Sequence, residues 1–371
     1  MELSGARSLV NMELNSDSDE MLIPTPSPTW RDMWHGRGVA AAAALLGLLA
    51  LLGLSGGHGS SFFKKETSAL WSASGGKCSG TLEVSNLGEF SLISASVNKP
   101  GDPASRDIVG DGLSVTLGMK SRAYFGNACT EGAFDQSEYM KENFMNKRVS
   151  YTVDLSGVGC GCNAALYMVS MKESEAAGDC DDDYYCDAMS VCGLKCAEID
   201  LMEANHRAFH TTLHNGITAW DPKVGCGGGG TTMSGKEWLG PRDWSPEEYG
   251  PGAKCIDTDK EFQVAIDFVT HTNDEGEEQL KSLEVYLTQG SCKLTASMEQ
   301  YHEMMPVLTK RLQEGMTLVL SYWSDEGMTW LDGSGYDGVE FCKARWEKDG
   351  ERNCADSISL RDFALTSLDE L

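Results

Sequence analysis

The sequence predicts an all-β sandwich over most of its 371 residues. From Cys78 onward, short runs rich in β-branched and aromatic residues alternate with Gly, Asn, Asp and Pro, which is typical of antiparallel strands joined by turns. Helical periodicity is restricted to Ser297–Leu312, a segment that we expect to pack outside the sheets. The predicted strands are Thr81–Val84, Phe90–Val97, Leu113–Met119, Val149–Leu155, Ala165–Met171, Phe262–Val269, Ser282–Thr288 and Thr317–Trp323.

Three segments precede this domain, which we expect to occupy residues 77–371. Residues 1–37 are polar and punctuated by prolines, which indicates a disordered tail. Residues 38–57 are uncharged and consist mainly of Ala and Leu, so we expect a transmembrane signal anchor with its N terminus in the cytoplasm. The strongly apolar part is short, which keeps a cleaved signal peptide as the alternative. Residues 58–76 form a linker.

All thirteen cysteines follow the apolar segment, which is the distribution expected of a domain that folds in an oxidising compartment. Cys180, Cys186, Cys192 and Cys196 are separated by gaps of six, six and four residues, which do not form paired C-x-x-C knuckles. We therefore expect disulfides rather than a zinc site. An odd count leaves one thiol unpaired or shared between chains.

The net charge of −26 restricts the partners of the chain. So acidic a surface repels nucleic acid and anionic membrane surfaces, while a neutral polysaccharide is indifferent to it. No basic patch interleaved with aromatic residues is present in the sequence. We predict no nucleic-acid partner.

Three carboxylates form the most informative cluster of the chain. Glu198 and Asp200 lie two residues apart, so on a strand they share one face while Ile199 and Leu201 point to the core. Glu203 has the opposite parity, and a β-bulge after Asp200 would return it to the acidic face. A helix is the alternative, in which the acids would form an ordinary solvated surface.

Carboxylates gathered on one face favour glycoside hydrolysis. Mutual repulsion raises the pKa of at least one of them, which leaves a proton donor beside an ionised neighbour. A pair of carboxyls about 5 to 5.5 Å apart suits the retaining reaction, in which one attacks the sugar and the other protonates the departing oxygen.

Several motifs resemble glycoside hydrolase family 7, the retaining cellulases, and occur in the order of that family. The first acidic motif, Glu-x-Asp-x-x-Glu followed by Ala-Asn, matches the family signature residue for residue. The resemblance covers about residues 145 to 335, with a weaker match back to Cys78. The matching segments are Glu198–Asn205, Cys162–Met171, Tyr185–Ala188, Leu318–Trp323 and Trp330–Asp332.

This resemblance implies a fold and a reaction. The fold is a concanavalin A-like β-jelly-roll of two curved antiparallel sheets with a substrate cleft on the concave face. The reaction is retaining hydrolysis of internal β-1,4-glucosidic bonds in cellulose or related β-glucans. Glu198 is then the nucleophile, Glu203 the acid/base, and Asp200 the partner that holds Glu198. We expect a monomeric catalytic domain that needs no cofactor.

The resemblance also implies seven substrate-binding residues. Phenols can hydrogen-bond sugar hydroxyls, and tryptophan faces can stack on pyranose rings. On the sequence alone, the same residues could be sheet aromatics, turn residues or core residues. The predicted substrate-binding residues are Asn163, Tyr167, Tyr185, Asp187, His214, Trp323 and Trp330.

Two other clusters could hold a metal ion. His206, His210 and His214 recur every four residues, which on a helix would make a one-face site. The intervening residues and the turn signal Asn215–Gly216 favour a strand ending in a hairpin instead. The acidic run Asp179–Asp183 could bind calcium, although a solvated loop is favoured. We predict no metal site.

The chain departs from the family pattern at several places. Met202 stands where the family usually has Trp, and Cys196 is single where a cysteine pair is typical. Only ten residues separate Asp187 from Glu198, and the arginine-bearing loop of the family is not recognisable around Gly227–Gly230. Short loops imply an open cleft, which favours internal cleavage over processive release of disaccharide.

Two other classes of function remain open. One is a lectin-like β-glucan-binding protein on the same scaffold, catalytically weak or inactive. The other is a cell-surface structural protein without a sugar site. The segment Leu368–Leu371 resembles an endoplasmic-reticulum retrieval signal without its leading basic residue, with chance as the alternative.

Overall fold

The strands pair in one continuous order that folds back on itself as a sandwich. The computed structural model describes residues 75–174, 178–216, 244–299, 304–325, 327–333, 342 and 354–371. Each of the eight predicted strands overlaps a strand of the structure. The strands are β1 (Lys77–Val84), β2 (Gly88–Ser94), β3 (Val97–Lys99), β4 (Asp102–Pro103), β5 (Ile108–Gly112), β6 (Ser114–Gly118), β7 (Ser121–Gly126), β8 (Lys147–Asp154), β9 (Cys162–Val169), β10 (Glu198–Ala204), β11 (Phe209–His214), β12 (Tyr249–Gly250), β13 (Ile256–Asp257), β14 (Phe262–Thr272), β15 (Glu278–Gln289), β16 (Cys292–Ser297), β17 (Thr317–Ser324) and β18 (Ser357–Ser367).

Fourteen strands bond in the order β11-β10-β9-β17-β7-β2-β1-β5-β6-β18-β8-β14-β15-β16. Neighbouring strands are antiparallel except that β1 and β5 run parallel. One hydrophobic cluster joins Leu166 of β9 and Leu320 of β17 to Val264 of β14 and Val285 of β15. The two ends of the strand order therefore pack face to face, and the predicted all-β sandwich is confirmed.

Alternate residues of the first half form a second apolar cluster on the opposite face. Leu166 joins the main core, while its neighbour Tyr167 joins Tyr185 and Val319 in the second cluster. This alternation follows from the period of two along a strand. Both faces of β9 are consequently buried, and the second face is the one that carries the acidic residues.

The predicted helix is shorter and starts later than expected. Helix α1 spans Met305–Glu314, whereas Ser297 ends strand β16, so the predicted start was wrong. Pro306 lies in the first turn, where its missing N–H costs no hydrogen bond. Leu308 and Leu312 belong to the main core, so the helix covers an end of the sandwich. The sequence also missed the short helix α2, Thr329–Asp332.

Six disulfides confirm the prediction of cysteine bridges over a zinc site. The four cysteines before β10 pair with one another, as Cys180–Cys192 and Cys186–Cys196. The thirteenth cysteine, Cys226, lies outside the described residues. Disulfides of this number place the domain in an oxidising compartment of the secretory pathway. The remaining bridges are Cys78–Cys129, Cys160–Cys342, Cys162–Cys354 and Cys255–Cys292.

Two predictions concern residues outside the described part of the chain. The tail, the anchor and almost all of the linker precede residue 75, and Gly227–Gly230 also falls outside. Across the described ranges, no helix combines the length and the apolar character needed to cross a membrane. All of the described residues lie in one compact unit, Ala69–Leu371.

Candidate active site

A β-bulge in β10 brings the three carboxylates to one face, as predicted. Against β9, Asp200 pairs with Tyr167 and Met202 with Leu166, so Leu201 is the extra residue. The pairing with β11 shifts at the same place, between Asp200 and Glu203. The helical alternative for this segment is wrong.

The bulge also explains why two consecutive apolar residues interrupt the acidic pattern. Leu201 and Met202 are both fully buried in the main core, together with Ile199. Only a bulge allows two neighbours on a strand to point to the same side. Met202, which departs from the family pattern, therefore removes no side chain from the acidic face.

Glu198 is buried at the start of β10, with 8% of its surface exposed. Its Oε2 accepts a hydrogen bond of 2.9 Å from the backbone N–H of Ala188. Burial raises the pKa of Glu198 well above its ordinary value, and the charges of Asp200 and Asp187 raise it further, while the Ala188 hydrogen bond opposes them. Burial thus precedes the mutual repulsion that the sequence suggested as the cause.

Glu203 is half-buried and is oriented by Asn163. The Asn163 Oδ1 accepts from the backbone N–H of Ala204 at 3.1 Å, which leaves its amide Nδ2 to donate to Glu203 Oε1 at 3.0 Å. Burial and then the charge of Asp200 raise the pKa of Glu203 well above its ordinary value, and the Asn163 amide lowers it. Glu203 therefore has the properties of a proton donor at neutral pH.

Asp200 lies between the two glutamates and contacts His214 from β11. The His214 Nε2 is 3.2 Å from Asp200 Oδ2, and His214 pairs with Glu198 across the two strands. One ligand atom from each of these three residues lies within 4.8 Å of the others, so a divalent cation could be held there. In the described residues, no cluster joins His206, His210 and His214 as a metal site.

Two buried tyrosines lie behind the carboxylates. The hydroxyls of Tyr167 and Tyr185 are 3.0 Å apart, and their rings meet edge to face. Burial raises the pKa of both phenols, so they remain neutral hydrogen-bonding groups. Asp187 Oδ1 accepts from the Val191 N–H at 3.0 Å, and burial raises the pKa of this carboxyl as well. The disulfide between the residues preceding Asp187 and preceding β10 fixes this segment beside the acidic strand.

Trp323 and Trp330 form a pair next to Asn163. Trp323 pairs with Asn163 across β17 and β9, and the two indole rings lie 6.4 Å apart at an angle of 28°. Both rings are half-buried and pack against Ala208, Met328 and Leu331. The structure thus leaves part of each ring exposed beside the acid-bearing strands.

The sequence missed two residues that support this arrangement. Asp332 is fully buried, and its Oδ2 accepts from the Gly161 N–H at 2.7 Å and from Asn205 Nδ2 at 2.8 Å, which ties the tryptophan segment to β9 and β10. Arg122 of β7 is 3% exposed and lies against the Tyr185 ring. A lone Arg inside the buried run Ser121–Gly126 was the available signal, because charged residues are rarely buried without a partner.

Known proteins resemble this chain in sequence. The model of Glycosyl hydrolase family 7 matches residues 114–189, a segment that contains Asn163, Tyr167, Tyr185 and Asp187. Endo-beta-1,4-glucanase celB of Aspergillus oryzae is 27% identical over 247 residues, which are 54% of this chain and 59% of that protein. Endoglucanase EG-1 of Hypocrea jecorina is 26% identical over 230 residues, which are 53% of this chain and 47% of that protein. The chain thus spans about half the length of these relatives.

Solved structures share the fold at low sequence identity. A GH7 family cellobiohydrolase from Daphnia pulex superposes with a TM-score of 0.55 at 17% identity, covering 79% of this chain and 97% of that one. An endoglucanase I complexed with cellobiose gives a TM-score of 0.55 at 17% identity, covering 78% and 97%. The predicted jelly-roll fold is confirmed. The resemblance found in the motifs is confirmed as well: the chain is similar in sequence to Glycosyl hydrolase family 7 and has the fold of that family's solved members.

Proposed function

We propose that residues 77–371 form a retaining β-1,4-glucanase that cleaves internal bonds of cellulose or a related β-glucan. The observation that carries this proposal is the bulge in β10, which gathers Glu198, Asp200 and Glu203 on one face while each glutamate keeps a hydrogen-bond donor of its own. Two carboxyl groups in different surroundings are what a double displacement at a sugar requires.

The proposed reaction has two steps. In the first, Glu203 transfers its proton to the glycosidic oxygen while an oxygen of Glu198 attacks the anomeric carbon, so that a glycosyl ester forms and the alcohol leaves. In the second, Glu203 takes a proton from water, whose oxygen attacks the same carbon and releases Glu198. The Ala188 N–H favours the ionised form of Glu198. Asp200 orients the nucleophile and is itself held by His214.

Substrate binding is proposed to use the residues around this centre. The partly exposed Trp323 and Trp330 rings suit stacking on pyranose faces. Asn163, Tyr167, Tyr185, Asp187 and His214 orient the catalytic carboxyls and complete the polar floor of the cleft. The short segment between Asp187 and β10 is compact and cross-linked, which supports an open cleft and internal cleavage. Both curated relatives described above are named for endoglucanase activity, which gives the binding-only alternative no support.

Hydrolysis of soluble β-1,4-glucan, mixed-linkage glucan and xylan by the purified protein tests the proposal. Reducing-sugar assays should show release from a β-1,4-glucan, and NMR should show that the newly formed end first appears with the β configuration. Glu198→Gln and Glu203→Gln should abolish release, whereas Glu275→Gln, in the exposed β14–β15 turn, should not. Initial formation of the α anomer, or equal release by wild type and Glu198→Gln, would refute the mechanism.

We further propose the domain division 1–37 tail, 38–57 signal anchor or signal peptide, and 58–76 linker, with a monomeric catalytic domain. The disulfides support a luminal or extracellular domain. Alkaline carbonate extraction of membranes tests the anchor: an anchored protein stays in the pellet, and a protein with a cleaved signal is released. Retrieval through the segment 368–371 has no support in the structure or in the relatives.

A further inference from the structure

A buried arginine lies beneath the candidate active site. Arg122 is in β7, a strand whose six residues are all buried, and only 3% of its surface is exposed. Its Nε donates to Tyr124 Oη at 2.9 Å, its Nη1 to the Asn98 carbonyl at 3.1 Å, and its Nη2 to the Val97 carbonyl at 2.9 Å. With its donors engaged inside the protein, this guanidinium does not bind substrate.

A buried carboxylate compensates the charge of Arg122. Asp183 Oδ2 lies 3.4 Å from Arg122 Nη2 and accepts from the Tyr124 hydroxyl at 2.5 Å. Asp183 Oδ1 accepts from the backbone N–H of Tyr185 at 3.0 Å. Burial opposes the charge of Arg122, but Tyr124 and Asp183 outweigh it, so the pKa of the guanidinium lies above its ordinary value and the group stays cationic. The ion pair therefore also fixes the backbone at Tyr185.

The guanidinium reaches the acidic strand through one aromatic ring. Arg122 Cζ lies 3.8 Å from the centroid of the Tyr185 ring, within the range of a cation–π contact. The Tyr185 hydroxyl is 3.0 Å from that of Tyr167, and Tyr167 pairs directly with Asp200 of β10. A shift of Arg122 would thus move the phenol pair behind the carboxylates.

The charge of Arg122 also acts on these carboxylates. It lowers the pKa of Asp187, against the larger effect of burial, and the charge of Asp187 in turn raises that of Glu198. Loss of the cation should therefore make the Asp187 and Glu198 pair harder to ionise. The titratable groups that face Arg122 and its aromatic neighbours are Tyr124 of β7, Tyr139, Tyr167 of β9, Asp183, Tyr185, Asp187 and Glu198 of β10.

We propose that Arg122 is a positioning residue for hydrolysis, which holds the Tyr185 ring in place and supplies a buried positive charge behind Asp187 and Glu198. The inference rests on the proposed function, because it assigns a role within that reaction. Positioning and charge are separable: lysine keeps the charge but has no planar group to stack on the ring, and glutamine keeps neither.

The test compares Arg122→Gln and Arg122→Lys with a matched control. Arg148 of β8 forms a similar two-contact pair with Asp267 of β14, in the other half of the sandwich, so Arg148→Gln reports the loss of such a pair alone. For Arg122→Gln we expect kcat to fall about tenfold or more, KM to change less than about threefold, and the acid limb of kcat/KM to move up by about half a pH unit or more. Arg122→Lys should lose kcat but keep the acid limb. Arg148→Gln should retain both.

Several results would overturn this role. They are a wild-type acid limb in Arg122→Gln, the same limb shift in Arg148→Gln, or wild-type kcat in Arg122→Lys. If Arg122→Gln does not fold, kcat of the lysine variant decides. If the wild type hydrolyses no glucan, the proposed function fails separately, and carbon-13 NMR of labelled Glu side chains still measures the titration of Glu198 in folded variants. An unchanged titration in Arg122→Gln would then refute the electrostatic role.

Discussion

The contact between Asn163 and Glu203 yields the sharpest prediction about the proton donor. Asn163→Ala removes an amide that donates to Glu203 at 3.0 Å and accepts from the Ala204 N–H at 3.1 Å. Burial and the charge of Asp200 raise the pKa of Glu203 and the amide lowers it, so the substitution should raise that pKa further. The alkaline limb of kcat/KM should consequently move to higher pH.

The size of the shift follows from the hydrogen bond that is lost. A hydrogen bond to a charged group contributes about 1.5–3 kcal/mol, and one pKa unit corresponds to about 1.4 kcal/mol, so we expect a shift of about one pH unit or more. We expect kcat to fall about tenfold or more, because the carboxyl loses its orientation. The buried Ala204 N–H also loses its acceptor, which costs about 1–3 kcal/mol of the free energy of unfolding.

Initial rates on a soluble glucan across pH 4 to about 9 measure the limb, and calorimetry measures the stability. Asn163→Asp should move the limb upward at least as far, because a second carboxylate then faces Glu203. Asn143→Ala is the control, since it removes a comparable side-chain acceptor, for the Met145 N–H at 2.9 Å, from a different loop. An alkaline limb of Asn163→Ala that stays in place or moves downward would refute the proposed orientation of Glu203.

Three further predictions concern the same cleft. Asp200→Asn should lower the pKa of both glutamates, so both limbs of the kcat/KM profile should move to lower pH by about one unit; limbs that stay in place would contradict the electrostatic role. Trp330→Ala should raise KM about tenfold with a smaller change in kcat, and the exposed Trp323 face should make Trp323→Ala similar; unchanged KM values would refute the platform. Glu203→Gln should raise the melting temperature above about pH 6, because a carboxyl with a raised folded pKa loses stability as the pH rises above its unfolded value near 4.3; an equal melting temperature at pH 5 and 8 would contradict this.

The catalytic strand could be predicted from the sequence because its pattern is local. The alternation of Glu198, Ile199 and Asp200, followed by two apolar residues, allows few arrangements in which the acids share a face. Strand β18 was missed for the corresponding reason. Its pairing shifts between Arg361 and Ala364, and Asp362 adopts a φ of 57°, so the alternation breaks in the middle of the strand.

Long-range contacts could not be predicted in the same way. Thirteen cysteines allow very many pairings, and spacing gives no preference for joining Cys162 to a residue 192 positions later. The Arg122–Asp183 pair likewise joins residues 61 positions apart, and neither residue stands out by its immediate neighbours. Such contacts depend on which strands become adjacent, and only the folded sheet determines that.

The order of causes behind the raised pKa values connects the fold to the chemistry. Carboxylate spacing explains only repulsion, whereas burial is the larger cause for both Glu198 and Glu203. Burial arises because β10 is flanked on both edges, by β9 and β11, and because the Asp187 segment covers its start. Glu203, near the end of the strand, is less buried than Glu198 and is held by a side-chain amide rather than by a backbone N–H. A flexible donor beside the more accessible carboxyl suits a group that must give and regain a proton, while a fixed backbone donor suits one that forms and breaks a covalent bond.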